Sequence, residues 1–369
     1  MKIGIISSQM NQTLTGIGNY IYNVVNELNN LHTDCDICLI NYKYDQNFNN
    51  EQIILSNPFS FFKTYLWHIY LVIALRQRKL DIIHNPAQVP TFFKFRQKNI
   101  ITVHDIIPFI YPEKHPFSRS FINRLFFPIT LKFADKIIAV SENTKKDIVS
   151  YFRIPEDKIK VILNGVDKRF RLLDDEDVYN VKNMYNLTFP FILYVGTLEP
   201  RKNIPSLIMA FSKLKEKEIP HRLVIAGKKG WKYTEIFQTI NKLNLQDDVI
   251  FTGYVSDEDL PSLYNAADLF VYPSIYEGFG LPPLEAMACG TPVITSNTSS
   301  LPEVVGDAGI MIDPFDIDSF AESMYKVISN EDLKRNLMKK GLERAKLFSW
   351  KKCAKEIMDT YQEVYNNEV

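Results

Sequence analysis

Apolar residues fall along this chain in short continuous runs, each followed by a turn and then by a longer stretch with a helical apolar stripe. An unbroken apolar run, rather than an alternating one, marks a strand covered on both faces, as in a parallel sheet. Such runs stand at residues 2–7, 37–42, 81–84, 100–104, 136–140 and 158–163, with an amphipathic helix at 19–31 after the first. A second series begins at 191–195 and continues at 222–226, 249–252, 268–272 and 292–295. Strands alternating with helices predict doubly wound parallel sheets in the α/β class. Residues 168–186 are polar and charged and read as an interdomain linker. The expected domains are therefore 1–168 and 169–350. From residue 317 the pattern is helical to the end, with a break at 348–350 and a last amphipathic helix from 351.

Length agrees, since 369 residues suit two domains, each burying its own core. Charged residues make up 23% and apolar ones 46%, a globular balance with no low-complexity tract. Net charge is zero but uneven: residues 1–170 hold 21 Lys+Arg against 14 Asp+Glu, and the rest holds 22 against 29. The basic first half suggests an anionic partner. No nucleic-acid motif is present, so an anionic membrane surface is the better candidate. Aromatics interleave with cations at 61–79 and 92–98. That composition fits either a buried helix plus a loop or interfacial docking, where aromatics sit at the headgroups and Lys/Arg meet anionic lipid.

The apolar stretch 65–75 is too short to span a bilayer, and the apolar start at 2–6 is too short for a signal-peptide core. The expected location is cytoplasmic, with peripheral contact at the inner face of the plasma membrane. Four cysteines make no disulfide framework. Cys35 and Cys38 have C-x-x-C spacing, but no second pair completes a zinc site, and inert core cysteines are expected.

Candidate chemistry gathers on loops that follow strands. Gly16 and Gly18 stand in a G-x-G just before the first helix, where glycines let backbone approach a phosphate. His84 and His104 each end a strand, on the rim where open α/β sheets bind ligands. Arg201 and Lys202 precede a helix, so two cations and a helix N-terminus could converge on one diphosphate, or be plain surface charges. The segment 277–285, EGFGLPPLE, puts Glu277 and Glu285 at either end of a glycine-punctuated turn that opens a helix. Glu285 could equally be a first-turn carboxylate favoured by the helix dipole, and Glu277 a solvated loop residue.

The whole run 273–303, PSIYEGFGLPPLEAMACGTPVITSNTSSLPE, resembles the signature of family 4 retaining glycosyltransferases, an E-x7-E motif within E-G-F-G-L-P-x-L-E-A-M-A-x-G-x-P-V. Further matches are ITVHD at 101–105, NGVD at 164–167, the G-x-x-x-x-R-K-N of 196–203 and LPEVVG at 301–306. The resemblance implies the GT-B arrangement: two Rossmann-like domains facing across a cleft, with the last helix crossing back to the first domain. It implies that Arg201 and Lys202 grip the donor diphosphate and that Glu277 binds donor-sugar hydroxyls. By the same resemblance Glu285 takes the ribose and His104 the sugar ring, while Gly16, Gly18, Phe279, Gly280 and Leu281 line the phosphates. The turn of Gly253, Tyr254 and Val255 lines the base. The partners so implied are a nucleotide-sugar donor, with GDP-mannose the first choice, and a glycan or lipid-linked acceptor. No cofactor and no metal are expected, because no carboxylate triad stands in the sequence. A nucleotide-sugar isomerase of the same fold, or a non-catalytic carbohydrate-binding subunit, are the competing classes. The second would be expected to have lost Arg201, Lys202 or Glu285.

Overall fold

The structure, a computed structural model, describes residues 1–7, 16–31, 34–41, 43–55, 65–91, 93–112 and 117–366, without the side chains of 65–69 and 117–123. The chain divides into two compact units, Met1–Gly165 with Ser349–Val369, and Val166–Phe348.

The first unit is built on strands β1 (Lys2–Ile6), β2 (Asp36–Asn41), β3 (Glu51–Ile54), β4 (Ile82–Asn85), β5 (Lys98–Val103), β6 (Lys136–Ala139) and β7 (Ile159–Val161). They form one sheet in the order β3-β2-β1-β4-β5-β6-β7, every pairing parallel. Helices α1 (Gly16–Asn30), α2 (Tyr65–Arg76), α3 (Ile107–Ile110), α4 (Phe117–Phe133) and α5 (Glu142–Phe152) connect them. Ser141 caps α5, its hydroxyl accepting from the Thr144 amide at 3.0 Å. The strand β3 has no counterpart in the apolar pattern, because an edge strand is covered on one side and carries Glu51 and Gln52.

One expectation changes here. Helix α1 begins at Gly16, so Gly16 and Gly18 lie in its first turn rather than in the loop before it. Burial of Tyr20, Ile21, Val24, Val25 and Leu28 outweighs the poor helix propensity of glycine. The helix Trp350–Tyr365 also belongs to this unit and packs against α1. Gly165 lies against its start, where a Cβ would stand 2.1 Å from the Trp350 amide nitrogen; only glycine permits that approach.

The second unit holds β8 (Phe191–Val195), β9 (Arg222–Ala226), β10 (Val249–Gly253), β11 (Leu269–Tyr272), β12 (Val293–Ser296) and β13 (Ile310–Ile312). Their order is β10-β9-β8-β11-β12-β13, again parallel throughout. The stretch read as a linker instead carries helix α6 (Asp175–Met184), which packs against α9 (Leu260–Ala266) and buries Val181. Three acidic residues in its first turn suit the helix N-terminus, so its high charge reflects a solvated face and not a break. Helices α7 (Ile204–Lys215), α8 (Thr234–Lys242), α10 (Leu281–Ala288), α11 (Leu301–Val305), α12 (Ile317–Ser329) and α13 (Glu331–Ala345) complete the unit.

All four cysteines are free, and burial pushes the Cys38 thiol up to about 11. Among the described residues no helix is long and apolar enough to cross a membrane.

Candidate active site

In the second unit the strand order reverses between β8 and β11, and the loops leaving those two strands meet at the crevice where open α/β sheets take ligands. After β8 the chain makes a 3-10 turn, Pro200–Lys202, ended by Asn203 in the left-handed region at φ 55°. Asparagine tolerates that conformation, and its amide donates to the Pro314 carbonyl at 2.6 Å. The Arg201 carbonyl accepts from the Ile275 amide at 2.8 Å, which ties this turn to the loop after β11.

That second loop delivers Glu277 between the two cations. Glu277 Oε2 is 2.8 Å from Arg201 Nη1, and Oε1 is 2.6 Å from Lys202 Nζ. Ser274 and Tyr272 also donate to Oε1, at 2.6 and 3.0 Å. Arg201 Nε is held by Glu199 at 2.6 Å, and Arg201 Nη1 donates to the Tyr276 carbonyl. Lys202 is hydrogen-bonded to the Tyr272 hydroxyl. Lys202 and Glu277 are 6% and 8% exposed, so this is a buried charge network.

Burial alone would push the Glu277 carboxyl up; Arg201 and Lys202 outweigh it and hold it at about 2. Burial and the neighbouring guanidinium lower the Lys202 ammonium, with Glu277 opposing them. Arg201 is lowered by burial and raised more strongly by Glu277 and Glu199, and stays charged. Two adjacent cations preorganised by one carboxylate, at a sheet switch point, can stabilise negative charge growing on a phosphate oxygen.

Glu285 sits apart from this network, on α10. Its Oε2 accepts from the Tyr264 hydroxyl at 3.0 Å. Burial pushes its carboxyl up to about 7, against the Tyr264 hydrogen bond. Gly280 caps α10 at φ 122°, a conformation that favours glycine, and a Cβ there would also press on the tip of the Leu301 side chain at 2.9 Å. Leu281 begins the helix, half-buried. The ring of Phe279 is core, 5% exposed and edge-on to Phe348 at 5.9 Å, so this turn can offer a ligand only backbone there. After β10, Tyr254 is 49% exposed with Lys228 4.2 Å above its ring, while Val255 is buried.

In the first unit, His104 follows β5 and Gly18 is buried in α1, whereas Gly16 is exposed. His104 Nε2 is 2.8 Å from the Pro86 carbonyl, so it must carry the proton and leave Nδ1 as acceptor. Burial lowers its pKa, and Tyr20 packs edge-on to it at 4.8 Å. His84 is a core residue, fully enclosed, with Tyr361 at 2.7 Å on Nδ1 and Thr102 at 2.9 Å on Nε2. Burial, and then His104, lower its pKa to about 3.

Sequence reasoning missed Glu199, Tyr272, Ser274 and Tyr264. Tyr272 sits in the apolar, buried strand β11 and Tyr264 is buried in α9, and a buried hydroxyl must find a partner, which was the available signal. Among the described residues no group of three His, Cys, Asp or Glu side chains could hold a metal ion.

Residues 14–170 match Glycosyltransferase Family 4, and residues 175–344 match Glycosyl transferases group 1. The chain is 37% identical over 292 residues to the O-antigen chain mannosyltransferase B of Escherichia coli, covering 78% of this chain and 76% of that protein. Its fold is similar to sucrose-phosphate synthase from Thermosynechococcus elongatus, with TM-score 0.80 and 23% identity over 99% of both chains. It is likewise similar to Anabaena HepE, solved in complex with UDP-glucose, with TM-score 0.79 and 18% identity over 98% of this chain and 100% of that one. A third of the residues shared across most of a relative, and both parallel-sheet units matched by known GT-B folds, establish that this chain belongs to the group 1 and family 4 glycosyltransferases and is itself a glycosyltransferase.

Proposed function

We propose that the protein is a retaining mannosyltransferase that moves mannose from GDP-mannose to a hydroxyl of a glycan or lipid-linked acceptor in cell-surface polysaccharide synthesis. The observation that carries the reaction type is the buried Arg201–Glu277–Lys202 network at the switch point. Departure of a nucleoside diphosphate piles negative charge on its terminal phosphate, and both cations are already fixed where such charge is worth most to stabilise. Glu277 holds them there and offers Oε2 to a donor-sugar hydroxyl. Glu285, one oxygen bonded to Tyr264, takes the ribose. His104 presents Nδ1 to the sugar ring. No side chain in this reading acts as a covalent nucleophile; the departing phosphate takes the acceptor proton during same-face attack. Likeness to an O-antigen mannosyltransferase supports mannose and polysaccharide assembly.

The enzyme would need no cofactor or metal beyond its donor, so turnover survives EDTA. It would work in the cytoplasm, peripheral to the inner face of the plasma membrane: Phe93, Lys94 and Arg96 are exposed together after β4. The test is incubation with GDP-mannose, UDP-glucose and other nucleotide sugars without acceptor. Slow hydrolysis of GDP-mannose alone fits the reading. A new nucleotide sugar would indicate an isomerase, and hydrolysis of a different donor would overturn the choice of mannose.

A further inference from the structure

Beside the Glu285 pole lie two charged side chains that the network above does not use, Arg169 and Asp257. Arg169 follows the NGVD turn. Its amide donates to Asp167 Oδ1 at 3.0 Å, and its guanidinium lies 5.2 Å from the centre of the Phe170 ring. Phe170 in turn packs edge-on to Tyr264, the residue that binds Glu285. The guanidinium is held only loosely at its root. Its Nε is buried without a hydrogen-bond partner among the described residues, and its ion pair to Asp167 Oδ2 is long, at 3.9 Å. Its terminal nitrogens have no protein partner among the described residues, and the side chain is 32% exposed. A guanidinium usually satisfies its fork when half-buried, so one left open beside a ligand-binding edge needs a reason.

Asp257 lies in the turn between β10 and α9, the helix that carries Tyr264. Burial raises both the Tyr254 phenol and the Glu285 carboxyl; beyond burial, Arg169 lowers and Asp257 raises each of them. The same cation and anion thus bear on both residues, Arg169 through the Phe170–Tyr264 contact and Asp257 from the turn that opens α9. Asp257 is half-buried and makes no side-chain hydrogen bond among the described residues.

A free planar fork of donors and a free carboxylate on one patch call for a flat ligand with a paired acceptor edge and a paired donor edge. Guanine has both: O6 and N7 accept a bidentate guanidinium, and N1–H with the N2 amino group donates to a carboxylate. Adenine puts a donor beside N7, and uracil has no second acceptor adjacent to O4. We infer that Arg169 is a specificity-determining residue that reads the O6/N7 edge of a guanine nucleotide, with Asp257 on the opposite edge. The inference rests on the GDP-sugar reading and goes beyond it by naming the residues that select the base.

The test is calorimetric binding of GDP, IDP, UDP and ADP to the full-length protein and to Arg169→Gln, Arg169→Lys and Asp257→Asn. Wild type is expected to prefer GDP to UDP and ADP by tenfold or more. Arg169→Gln should lose about tenfold to a hundredfold in GDP affinity with UDP binding unchanged, since a good bidentate contact discriminates on that scale. Arg169→Lys keeps the charge, loses the fork and should recover little. IDP lacks the N2 amino group, so Asp257→Asn should shrink the difference between GDP and IDP. The Arg169 side chain makes no hydrogen bond among the described residues, only a long ion pair and a ring contact, so its variants should melt close to wild type. Equal weakening of every nucleotide in Arg169→Gln would place the residue on ribose or phosphate and overturn the inference, as would a retained preference for GDP. If wild type itself prefers UDP or ADP, the GDP-mannose reading falls and this inference with it.

Discussion

Replacing Glu277 by Gln tests the central network most directly, because it keeps the shape and removes the charge. The carboxylate receives Arg201 on one oxygen and Lys202, Tyr272 and Ser274 on the other. An amide must turn its NH2 toward a group that also donates, and it leaves a buried ammonium beside a guanidinium. Breaking one partner out of a buried ion pair costs roughly 3–5 kcal/mol. The carboxyl's own depression gives an independent figure: from 4.5 to about 2, at about 1.4 kcal/mol per unit, it contributes on the order of 3 kcal/mol. A carboxyl depressed by folding contributes stability that is complete above its unfolded value near 4.5 and is lost as pH falls toward about 2. Urea unfolding should therefore show Glu277→Gln about 3 kcal/mol less stable at pH 7, with the gap closing as the solution is acidified below 4.5. Its turnover should fall too, since Lys202 and Arg201 lose what fixes them. A gap under about 1 kcal/mol at pH 7, or one that does not change with pH, would refute this account of the network.

Arg201→Ala and Lys202→Ala should each lower turnover at saturating donor by about a hundredfold or more, the scale of one lost contact to a developing oxyanion; normal turnover in both would put the diphosphate elsewhere. Glu285 has the opposite pH signature: its raised carboxyl adds stability below the unfolded value of 4.5 that is lost as pH rises through about 7. Thermal melts should thus show Glu285→Gln gaining on wild type between pH 5 and 8, by on the order of 2 kcal/mol, while donor affinity drops. Sedimentation with anionic vesicles should show binding in low salt that fades in high salt and is lost when Lys94, Arg96 and Lys98 all become Gln, given about 1 kcal/mol per cation. Equal binding to neutral vesicles would sink the membrane reading.

Much of this protein was written in local pattern. Unbroken apolar runs fixed which segments are strands of a parallel sheet, because a strand covered on both faces has no polar face to alternate with. The EGFG turn before α10 declared itself through glycine, since a positive φ at 280 leaves almost no other choice. Local pattern failed where neighbours decide. Edge strand β3 is half-solvated and carries no apolar run, and α6 was hidden by charges that only face solvent. Glu277 and Arg201 are far apart in the chain, and nothing in their spacing shows that one carboxylate is buried between two cations. That follows from strand order: β8 and β11 become neighbours only when the sheet winds outward in both directions from β8, which brings their two loops together. The difference between Glu277, held near 2, and Glu285, pushed to about 7, has the same origin. Both are buried glutamates on one motif; the first is met by two cations brought in from another strand, and the second by a tyrosine.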